Sequence, residues 1–96
     1  MLLEKIRTMI TVDHDEDFKI LEKDNKIYIF LDGIQFKKDA KIIIDNYNLI
    51  YRENNSEYNY NSYDEYDLLS YLDYLIDKWI DCNSPTGKDN FKNFFL

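Results

Sequence analysis

Apolar residues in this chain alternate between helical and strand spacing, and the changes of period divide it into elements. Leu2, Leu3, Ile6 and Ile10 recur near helical spacing and predict a short helix over 1–11, whose end is blurred by Met9 and Ile10-Thr11-Val12. An acidic loop follows, Asp13-His14-Asp15-Glu16-Asp17. Phe18–Glu22 and Lys26–Leu31 read as strands joined by Asp24-Asn25, a pair that tolerates positive φ and suits a tight hairpin. Ile27-Tyr28-Ile29-Phe30-Leu31 is apolar on both faces, the pattern of a central strand. Asp32-Gly33 gives a second hairpin signal before a short third strand at Ile34–Phe36.

Residues 37–47 fit two periods. Phe36, Ala40, Ile43, Ile44 and Tyr47 make a helical face, whereas the β-branched run Ile42-Ile43-Ile44 favours strands at Lys41–Asp45 and Leu49–Arg52. The helix is the preferred reading. Residues 53–62 are polar and Asn-rich and read as a loop. Residues 63–81 predict a long amphipathic helix, with Ser62 as N-cap, Glu65 completing a capping box and Asp64 near the helix N-terminus. Asn83 and Pro85 end it, and Phe91, Phe94, Phe95 and Leu96 supply an amphipathic turn that caps the core. The predicted fold class is α+β: a small three-stranded antiparallel sheet packed by helices, within a single domain spanning 1–96.

Ninety-six residues, 45% hydrophobic and 17% aromatic, are apolar enough for a core that buries roughly 60–70% of the unfolded surface. The one cysteine, Cys82, precludes an intramolecular disulfide and fits a reducing compartment. The N-terminus meets an acid at Glu4 and never builds a secretory apolar run, and no stretch approaches the ~20 apolar residues of a membrane span. A soluble, cytoplasmic protein is expected.

Charge sharpens the picture. The whole chain carries −7, and residues 53–81 account for all of it, with eight acids against Lys78 alone. The same stretch holds six of the nine tyrosines: Tyr58, Tyr60, Tyr63, Tyr66, Tyr71 and Tyr74. Such a chain repels nucleic-acid phosphates and anionic lipid, so no direct nucleic acid and no membrane is the expectation, and basic protein partners are favoured.

On a helical wheel, Leu68, Leu69, Leu72, Leu75, Ile76, Trp79 and Ile80 form one stripe within roughly 140°. The opposite side carries Tyr63, Tyr66, Asp67, Ser70, Tyr71, Asp73, Tyr74, Asp77, Lys78 and Asp81. Tyrosine offers flat apolar area at low entropy cost, and the carboxylates accept from Lys and Arg. Asp73, Asp77 and Asp81 rise about 6 Å per step, of the order of phosphate separation along a strand, although any acid series at this spacing does the same. Like charges at i, i+4 cost a helix a few tenths of a kcal/mol per pair, roughly, so retaining them hints at a role.

Other chemistry is thin. Asp13, Asp15, Asp17 and Asp24 stand at positions 1, 3, 5 and 12 of an EF-hand-like loop, but Phe18 replaces its glycine and Asp24 its bidentate glutamate. His14 has no nucleophile beside it, Cys82 lacks an activating cation, and Thr86-Gly87-Lys88 lacks the rest of a phosphate loop. No catalytic residue, metal ligand or cofactor is assigned.

In its short length, its lack of a catalytic constellation and its acidic Tyr-rich segment Tyr58–Asp81, the chain resembles small acidic phage-encoded inhibitors of host defence, the anti-CRISPR and DNA-mimic proteins. The resemblance is one of type and transfers no residue role. It implies inhibition by occupying a basic nucleic-acid groove of an effector nuclease. The expected partner-binding residues are Tyr63, Tyr66, Asp67, Tyr71, Asp73, Tyr74, Asp77 and Asp81. Two alternatives remain open: a homodimer or other self-association through the Phe-rich C-terminus, and a metal-binding acidic loop.

Overall fold

Tight turns organise the sheet. Asp24 and Asn25 both take left-handed backbone, with φ of 55° and 63°, a conformation that Asp and Asn tolerate better than most side chains. Lys23 therefore lies opposite Lys26, and β1 (Lys19–Lys23) pairs antiparallel with β2 (Lys26–Phe30). Asn46 repeats the device with φ 56°, bringing Asp45 opposite Asn48 where β3 (Ala40–Asp45) meets β4 (Asn48–Glu53). Glu53 then faces Ser56 at the head of β5 (Ser56–Asn61). The computed structural model describes residues 2–14, 18–30, 40–53, 55–82 and 91–95. Its strands form one antiparallel meander in the order β1-β2-β3-β4-β5.

The α+β class holds, but the sheet has five strands rather than three. Two readings are corrected. Residues 40–45 form β3, not the preferred helix, because Ile42, Ile43 and Ile44 sit between Ile29, Tyr28 and Ile27 on one side and Tyr51, Ile50 and Leu49 on the other. A β-branched run buried by pairing on both flanks overrides helical spacing. The expected loop at 53–62 contains β5, an edge strand whose polar residues Glu57, Asn59 and Asn61 alternate with Tyr58 and Tyr60. The predicted hairpin at Asp32-Gly33, the strand at Ile34–Phe36 and the terminating Asn83 and Pro85 lie outside the described residues.

Two helices cover one face of the sheet. Helix α1 (Leu2–Asp13) buries Ile6 and Ile10, with Leu2, Leu3 and Met9 partly buried beside them. Arg7 donates to the Ile20 carbonyl oxygen at 2.9 Å, tying α1 to β1. Helix α2 (Glu65–Cys82) buries Leu68, Leu72, Leu75, Ile76 and Trp79, and Leu69 and Ile80 pack at the margin, so the leucine stripe faces inward as its spacing predicts. Ile27, Ile29, Ala40, Ile42, Ile44, Leu49 and Tyr51 rise from the sheet to meet them.

A short 3-10 helix (Phe91–Phe95) closes the core. Tyr51 is fully buried at its centre, edge-on to Phe91 at 4.7 Å and stacked on Phe95 at 5.4 Å, with Trp79 at 6.0 Å. Among the described residues, no helix is long and apolar enough to cross a membrane.

Candidate functional site

The outward side of α2 begins with its cap. The helix starts two residues later than Ser62 predicts, and Asp64 is the N-cap: its Oδ1 accepts from the Asp67 backbone N–H at 2.8 Å. Asp67 answers by accepting the Tyr63 N–H at 3.0 Å, a reciprocal arrangement close to a capping box. Ser62 instead donates its backbone N–H to the Tyr47 carbonyl oxygen at 2.8 Å. The capping logic was right and its register was not, because Asp64 and Asp67 outcompete Ser62 and Glu65 as acceptors.

Asp67 also accepts the Tyr60 hydroxyl at 3.0–3.1 Å. Burial first, and then this carboxylate, push the Tyr60 hydroxyl above its ordinary pKa. The Tyr60 ring stacks on Tyr71 at 3.8 Å, and Tyr71 stacks on Tyr74 at 5.7 Å. The Tyr71 hydroxyl donates to the Phe94 carbonyl oxygen, and burial, followed by the neighbouring Tyr74, raises its pKa. Asp67 and Tyr71 are thus engaged within the chain, fastening α2 to β5 and to the C-terminal turn.

The remaining expected residues point outward to different degrees. Tyr63 is 92% exposed, Tyr66 81% and Tyr74 43%. Asp77 and Asp81 are exposed, and the half-exposed Asp73 carboxylate receives the ring of His14 at 2.7 Å. Tyr66, Ser70, Asp73, Tyr74 and Asp77 fall within roughly 100° on the helical wheel, opposite the buried leucines. Lys78 lies over the rings of Tyr74 and Phe94, 5.5 and 5.8 Å from their centroids, and so flanks this face rather than breaking it. At the helix start, Lys5 of α1 holds Glu65 at 2.7 Å.

His14, expected in an acidic loop, is buried at the end of α1, where its backbone N–H bonds the Ile10 carbonyl oxygen at 3.1 Å. Asp15 and Asp17 of the EF-hand-like spacing lie outside the described residues. Among the described residues, no three His, Cys, Asp or Glu side chains gather to hold a metal ion. Phe91 is sealed in the core, and Phe94 and Phe95 pack against it, so these rings serve the fold rather than an exposed apolar patch.

The sequence reading missed the far side of the sheet. Lys19, Leu21 and Lys23 on β1, Tyr28 and Phe30 on β2, and Lys41 on β3 share the face that the helices leave uncovered. Alternation within Lys19–Lys23 and Lys26–Phe30 carried that signal. No family model matches the chain, and no curated protein or solved structure matches it either.

Proposed function

We propose that this chain is a non-enzymatic binding protein that docks the outward face of α2 onto a Lys/Arg-rich surface of a protein partner. The carrying observation is the pair of exposed rings, Tyr66 and Tyr74, set beside Asp73 and Asp77 on one side of a helix whose other side is locked into the core. Rigid phenols bury area without freezing many rotors, and carboxylates around them steer a cationic partner and accept its hydrogen bonds. Tyr63 and Asp81 extend the contact surface at its two ends, while Asp67 and Tyr71 hold the helix in place behind it.

The partner class that best fits is a protein whose basic groove otherwise holds nucleic acid, such as a CRISPR effector nuclease. The Asp73, Asp77 and Asp81 series, rising about 6 Å per step, would take the place of phosphates along that groove. Occupying the groove inhibits the partner by exclusion, with no reaction catalysed and no metal or cofactor required. The cytoplasm is the compartment in which such a partner is met and in which Cys82 stays reduced.

The test combines purified effector nuclease, its guide and labelled target with the wild-type chain and with Ser70→Lys/Asp77→Lys, two exposed positions on the same face. Target binding should fall with added wild-type protein, and the inhibition should weaken as salt rises. The double variant should lose it. Equal inhibition by both proteins would remove the α2 face from the mechanism, and no inhibition by either would remove the nuclease as partner class.

A further inference from the structure

The molecule carries a second surface of opposite sign on its other side. Across the sheet face opposite α1 and α2, Lys19 lies beside Phe30, Phe30 beside Lys41 and Lys41 beside Arg52. The next row is apolar, running Leu21, Tyr28, Ile43, Ile50. Lys23 and Lys26 flank that row on its far side. Among the described residues, five bases thus surround an apolar stripe, against two carboxylates on the same face, Asp45 and Glu57, each already within 4 Å of Lys26 or Arg52. Lys19 and Lys41, on the strands flanking β2, each hold an ammonium group over the Phe30 ring, 5.6 and 5.9 Å from its centroid. Leu21, Tyr28, Phe30 and Ile50 are partly exposed and Ile43 is buried among its neighbours in the row, and none of the five belongs to the main core cluster.

We propose that this basic, apolar-striped face docks the acidic tyrosyl face of α2 from a second copy of the chain. The two surfaces complement each other in kind: rings and carboxylates on α2, apolar side chains ringed by ammonium and guanidinium groups on the sheet. Lys19 and Lys41 stand two strand spacings apart, about 10 Å, within reach of carboxylates on successive turns of one helix face. Because the surfaces lie on opposite layers of the same molecule, the contact is heterologous. It joins copies head to tail into open chains rather than closing a two-fold dimer. A second copy carries the same net charge of −7, so the contact rests on the local match between its acidic α2 face and this basic one, not on the whole-molecule field. The inference shares the α2 face with the proposed function but needs no foreign partner.

Sedimentation of the full chain over a concentration series, at about 20 mM and about 500 mM salt, reads the association directly. Mass should rise with concentration at low salt and return to the monomer at high salt. Ser70→Lys/Asp77→Lys reverses the helix face, and Lys19→Glu/Lys23→Glu reverses the sheet face at exposed positions, with folding checked by circular dichroism. Either variant alone should associate about tenfold more weakly or not at all, and an equimolar mixture of the two should associate again. A wild-type chain that stays monomeric throughout, or variants that fail to rescue each other, overturns the proposal. So does a labelled single-stranded oligonucleotide that binds the monomer and is released by Lys19→Glu/Lys23→Glu, which would give the face to nucleic acid. Lys19→Glu/Lys23→Glu keeps its α2 face, so nuclease inhibition by this variant reports on the foreign-partner reading separately.

Discussion

The Nε2 atom of His14 lies 2.7 Å from Oδ1 of Asp73, joining the end of α1 to the middle of α2. Asp73 is half exposed, but the His14 ring is 6% exposed, so the partners differ in what they lose if the contact breaks. Asp73→Ala leaves a buried ring nitrogen without its acceptor, which costs about 1–3 kcal/mol. Thermal melting should show a fall of about 4–8 °C for each kcal/mol in a domain of this size. Asp73→Asn keeps an acceptor oxygen and should lose less. Equal melting temperatures for wild type and Asp73→Ala would show that the contact contributes nothing to stability.

Asp67 should behave as a structural residue despite its acidic side chain. It accepts from the Tyr63 N–H and the Tyr60 hydroxyl while its own N–H is capped by Asp64. Asp67→Ala removes the return half of the cap and orphans a half-buried phenol, at a cost of about 1–2 kcal/mol. Denaturant titration should show a lower midpoint with an unchanged slope, while nuclease inhibition by the folded fraction persists. A large loss of inhibition at unchanged stability would return Asp67 to the contact surface.

Legibility followed the physics of each segment. The leucine stripe of α2 and the Asp24-Asn25 turn were readable because local period and local backbone preference agree with the final fold. Residues 40–45 were misread because Ile43, Ile44 and Ala40 satisfy a helical spacing that only non-local pairing with β2 and β4 overrules. β5 was hidden by its edge position, where one face is polar and only Tyr58 and Tyr60 report burial. On α2, the wheel separated inward from outward residues but gave no sign that Tyr60 would claim Tyr71 and Asp67. Contacts between elements are not written in the period of either one.

The aromatic cluster around Tyr51 should set the stability of the C-terminal turn. Phe91 is fully buried, 4.7 Å from Tyr51 and 5.2 Å from Trp79. Phe91→Ala opens a cavity at that junction and should cost about 3–5 kcal/mol. Near-ultraviolet circular dichroism should lose intensity at temperatures where the far-ultraviolet signal is retained, as the turn detaches from Tyr51 and Tyr71. A variant with wild-type melting and spectra would place Phe91 outside the cooperative core.

Alkaline pH should unfold the protein through its phenols. Burial raises the Tyr51, Tyr60 and Tyr71 hydroxyls above the ordinary tyrosine pKa, and Glu53 beside Tyr51 and Asp67 beside Tyr60 add to it. Below pH ~10 both folded and unfolded chains keep these protons, so the three groups impose no pH dependence. As pH rises through about 10 the unfolded chain releases protons that the folded chain retains, so stability falls from there upward through the raised folded values. Phenolate absorbance should show at least three of the nine tyrosines ionising late and together with loss of helical signal. Complete titration of every tyrosine ahead of unfolding would contradict the buried arrangement.

The outward face of α2 should divide into anchors and steering charges. Tyr66 sits at 81% exposure with Asp73 and Asp77 on the turns beyond it, so a partner that covers it buries a whole ring formerly in water. Tyr66→Ala should weaken partner binding by about 2 kcal/mol, roughly thirtyfold, through faster dissociation. Asp77→Lys should act on the association rate, with the deficit shrinking as salt screens the wild type too. Tyr63 lies at the margin of the face and should cost less than Tyr66, because a rim contact stays partly hydrated. Surface plasmon resonance at two salt concentrations separates these effects. If Tyr66→Ala left both rate constants unchanged while Asp77→Lys slowed association, the face would act by charge alone and the tyrosines would not be anchors.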